Sequence, residues 1–122
     1  MTPKTTTGFD FDALRNAFEH TDEATIVGTY ADDAEMKVVD TTRPPSSPLV
    51  LRGKDAIGEL YRDVCSRAMT HEIQDPVVTP DKVAFNEACR YEDGLRVFSA
   101  NTLELRGGKI TRHVVVQAWD EA

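Results

Sequence analysis

From His71 to Trp119 the chain carries strand-like alternation only, and helical periodicity is confined to the residues before it. This segregation limits the possible folds more than any other feature of the sequence. Strand-like runs cover about 71–78, 82–91, 95–106 and 109–119. They are separated by Thr79-Pro80-Asp81, Glu92-Asp93-Gly94 and Gly107-Gly108, connections short enough to make hairpins. Four such strands predict an antiparallel meander. The helices of the first half must then cover one face of that sheet, which is an α+β architecture.

In the first half, Phe11, Leu14 and Phe18 recur at helical spacing, with Ala17 on the same stripe. They predict a helix over about 10–20, capped by Asp10 or Asp12. Thr21 reads as the cap of a second helix over about 22–31, with Asp22 and Glu23 in its first turn and Ile26, Val27 and Tyr30 on its buried face. The acidic corner Asp32-Asp33 leads directly into a strand over 34–40. Ala34, Met36, Val38 and Asp40 share one face of that strand; Glu35, Lys37 and Val39 share the other. Residues 41–48 hold three prolines and two serines, which exclude regular structure and make this loop a candidate lid beside Asp40. A short apolar run, Leu49-Val50-Leu51, precedes Gly53, which opens a third helix. Ala56, Ile57, Leu60, Tyr61, Val64, Cys65 and Ala68 follow the pattern of one helix face. The predicted order is helix, helix, strand, helix and four strands. A curved sheet that carries helices on one face can leave a hollow at its wide end.

The length, 122 residues, suits one domain, expected over 9–122, with residues 1–8 as a polar, disordered tail. No apolar run approaches the roughly 18 residues that span a membrane, and the N-terminus lacks a signal-peptide core. The expectation is a cytoplasmic protein with no membrane partner. The formal charge of −7 and the scattered basic residues argue against nucleic-acid binding. Cys65 and Cys89 form neither a disulfide framework nor a C-x-x-C motif, and read as small apolar fillers. His20, His71 and His113 show no ligand spacing, so no metal site and no cofactor are expected.

Four pieces of sequence, in this order, resemble the NTF2-like superfamily, and within it the SnoaL-like and ketosteroid-isomerase-like group. They are Tyr30-Ala31-Asp32-Asp33-Ala34, Leu51-Arg52-Gly53-Lys54-Asp55-Ala56-Ile57, Gly107-Gly108-Lys109-Ile110 and Gln117-Ala118-Trp119-Asp120. The resemblance implies a cone: three helices packed on a curved, mostly antiparallel sheet around a small-molecule pocket. It does not imply one activity, because the superfamily hosts isomerases, cyclases, hydrolases, dehydratases and pure binders. In the ketosteroid isomerase pattern the general-base Asp position falls on Val38, and Asp40 is the nearest acid on that face. The oxyanion Asp position falls on Asn101, and the oxyanion Tyr falls near Leu14. The resemblance also implies a homodimer through the sheet, for which Val114 and Val116 supply a second apolar set.

These positions define the candidates. Asp40 reads either as a pocket carboxylate able to accept a proton or as a solvated acid that starts the proline loop. Asn101 can donate to a carbonyl oxygen that gains charge, or bond to a neighbouring strand. His71 either assists Asp40 or sits at the rim. Glu87 alternates with Val83, Phe85, Cys89 and Tyr91, and periodicity leaves open whether that set or Asn86 and Arg90 face inward. An inward Arg90 would be needed for epoxide hydrolysis of the Asp–Arg–Asp kind. Phe18, Tyr30, Met36, Val38, Tyr61, Glu87, Gln117 and Trp119 are the candidate wall of the pocket. The expected function is cofactor-independent isomerase or cyclase chemistry on a small apolar carbonyl compound. In that reading Asp40, His71 and Asn101 are catalytic. The alternative is non-catalytic binding of an apolar ligand, or a dimerisation domain.

Overall fold

Asp10 caps the first helix, α1 (Phe11–Glu19), by accepting a hydrogen bond from the Ala13 amide at 3.0 Å. Asp22 caps α2 (Glu23–Gly28) in the same way, through the Thr25 amide and hydroxyl. Thr21, expected as that cap, lies outside the helix with a φ of +51°. The computed structural model describes residues 8–120. Of the expected tail over 1–8, all but Gly8 lies outside the described residues.

The second helix is shorter than its apolar pattern predicts. The Thr29 carbonyl accepts from the Ile110 amide at 2.9 Å, and the Gly28 carbonyl accepts from Lys109 Nζ at 2.8 Å. Once the C-terminal strand takes these carbonyls, the chain continues as β1 (Tyr30–Val39). The acidic stretch is therefore part of a strand, not a helix corner. It bulges: Tyr30 pairs with Ile110 and Glu35 with Arg112, so the residues between them outnumber their partners. Asp32 and Asp33 point to solvent there, while Tyr30 and Ala34 are buried.

After the proline loop comes β2 (Leu49–Arg52), a paired strand rather than a mere apolar run. Gly53, at φ +92°, turns it into α3 (Lys54–Cys65), a conformation glycine adopts without a Cβ clash. The remainder is β3 (Met69–Val78), β4 (Lys82–Tyr91), β5 (Arg96–Arg106) and β6 (Lys109–Trp119). The six strands run in the order β2-β1-β6-β5-β4-β3. All neighbours are antiparallel except β1 and β6, which are parallel. The meander is present as expected, and the first strand joins its far edge.

The helices cover one face. Phe11 and Phe18 of α1 both pack on Phe85 of β4, at ring separations of 5.8 and 6.1 Å. That contact settles the side of β4 that faces inward: Val83, Phe85 and Cys89 are buried and Glu87 is partly so. The core continues through Leu14, Ile26, Met36, Ile57, Ile73, Leu103 and Ile110. On the opposite, uncovered face Phe98 and Val116 are 47% and 50% exposed. Among the described residues no helix is long and apolar enough to cross a membrane.

Candidate functional site

The helices do not fill the inner face of the sheet. A cavity of about 520 Å³ remains between α3, the start of the proline loop and the inner faces of β1, β4, β5 and β6. Met36, Val38, Leu49, Leu60, Val97 and Val115 give it apolar walls. Of the expected wall residues, Phe18, Met36, Val38, Tyr61, Glu87, Gln117 and Trp119 line it. Tyr30 does not; it is 1% exposed, and its hydroxyl lies between Tyr61 and His113.

Five polar side chains form a continuous hydrogen-bonded chain along one side of the cavity. Tyr61 Oη lies 2.8 Å from Tyr30 Oη, which lies 2.7 Å from His113 Nδ1. His113 Nε2 lies 2.8 Å from Asn101 Oδ1, and Asn101 Nδ2 donates to Ser99 Oγ at 3.1 Å. The network itself assigns the protons. An amide oxygen only accepts, so His113 carries its hydrogen on Nε2 and donates it to Asn101. Nδ1 then accepts from Tyr30, and Tyr30 accepts from Tyr61. Burial drives the His113 pKa down to about 3, so the imidazole is neutral. Burial likewise raises both phenols above their ordinary range, which keeps them donors. No buried side-chain polar atom among the described residues lacks a partner. That matters because each unpaired one costs about 1–3 kcal/mol.

The second polar group lies on β3 and β4. His71 faces Cys89 directly across the strand pair, and Glu87 lies two residues before Cys89 on the same face. Glu87 Oε2 is 2.8 Å from His71 Nδ1 and 3.3 Å from Cys89 Sγ. Glu87 and Cys89 line the cavity; His71 does not, and connects to it through them. Burial raises the Cys89 thiol pKa, and the Glu87 charge adds to it. The Glu87 set therefore faces inward and its partner is a histidine. Arg90 is exposed and offers no inward guanidinium.

At the mouth, Asp40 lines the cavity, but its oxygens are engaged. Oδ1 accepts from the Thr42 amide at 2.9 Å and the Thr42 hydroxyl at 2.8 Å, and Oδ2 pairs with Arg43 at 3.3 Å. The side chain is only 6% exposed, covered by its own loop rather than sunk in the core. Burial tends to raise its pKa, yet the Thr42 bonds and the Arg43 charge outweigh it and hold the carboxyl below its ordinary range. Asp40 thus ties down the start of the proline loop. Opposite, Arg67 donates to Tyr91 Oη at 2.8 Å and pairs with Asp63, while Trp119 stacks on Tyr91 at 6.2 Å.

The structure brings Asn101, Glu87 and Asp40 to one cavity, with His71 one contact removed. Sequence reasoning did not single out His113, Ser99 or Cys89 as site residues. The available signal for His113 was its alternation with Val115 and Gln117, which puts all three on one strand face.

A search of curated proteins finds no match. Solved structures share the fold at low identity. An NTF2-like protein of unknown function from Mesorhizobium loti superposes with a TM-score of 0.77 at 15% identity, over 97% of this chain and 96% of that one. An LEH-like epoxide hydrolase from M. tuberculosis gives 0.67 at 18%, over 95% and 86%. A computationally designed 17-OHP binder gives 0.66 at 16%, over 92% and 95%. At such identities these likenesses concern the fold alone. The model of the SnoaL-like domain family matches residues 11–113, most of the chain. With its three helices on a six-stranded, mostly antiparallel sheet, this chain belongs to the SnoaL-like domain family, within the NTF2-like superfamily.

Proposed function

We propose that the chain binds a small, largely apolar carbonyl compound in this cavity and catalyses proton transfer on it, as an isomerase or cyclase does. One observation carries the reading: Glu87 and Asn101 line the same apolar-walled cavity from neighbouring strands. Ser99 pairs with Glu87 and Phe85 with Asn101, so Glu87 and Asn101 are diagonal neighbours on one face, on the order of 7–8 Å apart. A short carbonyl fragment fits between them.

The proton acceptor in this proposal is Glu87. His71 orients it by binding Oε2, and no hydrogen bond from a described residue engages Oε1. Asp40 anchors the loop at the mouth instead. Asn101 polarises the carbonyl. Its Oδ1 is held by His113 and one amide hydrogen by Ser99, so the second amide hydrogen is available to an oxygen that gains charge. Tyr61, Met36 and Trp119 shape the wall. The test is hydrogen–deuterium exchange at the α-carbon of a bound ketone. Exchange in the wild type that Glu87→Gln abolishes supports the proposal; equal exchange in both proteins rejects it.

A second reading is binding without catalysis. The chain from Tyr61 to Ser99 gives each of its members a partner within the protein, as a structural wall would. The designed 17-OHP binder has the same fold. Saturable ketone binding without any exchange would favour this reading.

The exposed Phe98 and Val116 support a homodimer through the outer sheet face. Light scattering after size exclusion tests it, and a monomer at all concentrations counts against it. Two free thiols, Cys65 and Cys89, agree with a reducing cytoplasmic location.

A further inference from the structure

Among the described residues, three donor atoms of different chemistry converge on the β3–β4 side of the cavity. His71 Nδ1, Glu87 Oε2 and Cys89 Sγ are separated pairwise by 2.8, 3.2 and 3.3 Å. The sheet register produces this triangle, since His71 and Cys89 are a cross-strand pair and Glu87 is the next inward residue of β4. All three are at least partly buried, and two of them line the cavity.

We propose that His71, Glu87 and Cys89 hold one thiophilic divalent cation of the zinc class, with its remaining coordination position open to the cavity. Zinc takes imidazole nitrogen, thiolate and carboxylate oxygen at about 2.0–2.3 Å, and tetrahedral bonds of that length place donors about 3.3–3.8 Å apart. The triangle needs to widen by about half an ångström to reach that range. An ion then sits just off its plane, on the side where Glu87 and Cys89 meet the cavity. A thiolate in the set selects against magnesium and calcium, which prefer oxygen alone.

The proton balance is simple. The Cys89 S–H bond breaks, its proton leaves to buffer and a sulfur–metal bond forms. The Nδ1 hydrogen that His71 donates to Glu87 in the metal-free chain moves by way of solvent to Nε2, so His71 binds the ion through Nδ1 as the neutral imidazole. Glu87 binds as the carboxylate. One proton is released per ion bound. Binding also draws the Glu87 carboxylate charge onto the cation through Oε2 and makes Oε1 a weaker base, so the cation slows proton transfer. That consequence rests on the function proposed above; the metal site itself does not.

The test uses the full chain, reduced and metal-free, titrated with Co²⁺ and no substrate, so its outcome is independent of any catalytic reading. A sulfur-to-cobalt charge-transfer band that saturates at one ion per chain is expected, with visible bands of four-coordinate intensity and displacement by Zn²⁺. Cys89→Ser removes the charge-transfer band and Cys65→Ser retains it. Absence of the band in the wild type, or its survival in Cys89→Ser, overturns the proposal. The unmutated protein gives a second readout, in case the serine variant fails to fold. Zn²⁺ should slow alkylation of Cys89 at least tenfold and leave Cys65 unaffected, as read by mass spectrometry; equal rates with and without Zn²⁺ overturn the site.

Discussion

Two imidazoles lie buried on the inner face of one sheet, and their neighbours make them opposites. His113, on β6, touches only neutral groups: the Tyr30 hydroxyl on one nitrogen and the Asn101 amide oxygen on the other. With no counter-charge in contact, burial alone drives its pKa to about 3, and the two hydrogen bonds fix a single tautomer. His71, on β3, instead meets a carboxylate and a thiol. The first cluster is closed, with each member partnered by the next. The second carries the charge and turns it toward the cavity. The surroundings of a buried histidine are thus set by the side chains that other strands bring to it.

The sharpest break in this comparison comes from removing the charge on the β4 side. Glu87→Gln should lower proton exchange on a bound ketone by about 10²–10⁴-fold, the usual worth of a positioned base. Its effect on stability should be far smaller, so exchange rate and thermal unfolding measured together separate chemistry from folding. On the β6 side a large effect on stability is expected. His113→Leu should cost roughly 3 kcal/mol of stability in urea unfolding, because it takes the acceptor from the Tyr30 hydroxyl hydrogen, leaving that oxygen only its bond from Tyr61, and takes the donor from the buried Asn101 oxygen. A loss below about 0.5 kcal/mol would show that the closed network contributes little.

The same contrast has a pH signature. The His113 pKa is about 3 in the folded chain, below its ordinary value of 6.5, so the unfolded state binds more protons between those values. Stability should therefore be complete above the ordinary value and fall as pH drops toward about 3, by up to about 5 kcal/mol. His113→Leu should flatten that dependence, and an unchanged slope would mean that other groups carry it. The smallest effect is expected at the mouth. Asp40→Ala frees the loop start from Thr42 and Arg43 and should weaken ligand binding by about 3–10-fold, or roughly 1 kcal/mol. Calorimetric titration of the ligand reads this, and a complete loss of activity in that variant would return Asp40 to the catalytic role.

Much of the scaffold was legible in local patterns. The stripe from Ala56 to Ala68 predicted α3, which ends earlier, at Cys65, and the three turn signals placed the hairpins of β3 to β6. The extent of α2 was not legible, because Ile26, Val27 and Tyr30 fit a helical face as well as they fit a helix followed by a strand. The distinction lay in Lys109 and Ile110, far along the chain, which claim the Gly28 and Thr29 carbonyls. The site was legible only in part. Alternation grouped Glu87 with Cys89 and Tyr91, yet it could not say that this group faces inward; Phe11 and Phe18 packing on Phe85 decided that. For Asp40 it gave the correct strand face but not Thr42 and Arg43, which fold back to engage the carboxylate.

By itself, then, the sequence determined most element types, the hairpin connections and the α+β arrangement, but not β2 or the start of β1, because turn chemistry and hydrophobic period act over a few residues. Tertiary structure alone decided which faces enclose the cavity and which side chains meet there. His113 reaches Tyr30 across 83 positions of chain, and His71 reaches Glu87 only through strand register. Such contacts depend on how distant strands pair. That pairing is set by the packing of the whole sheet against its helices and not by any local pattern.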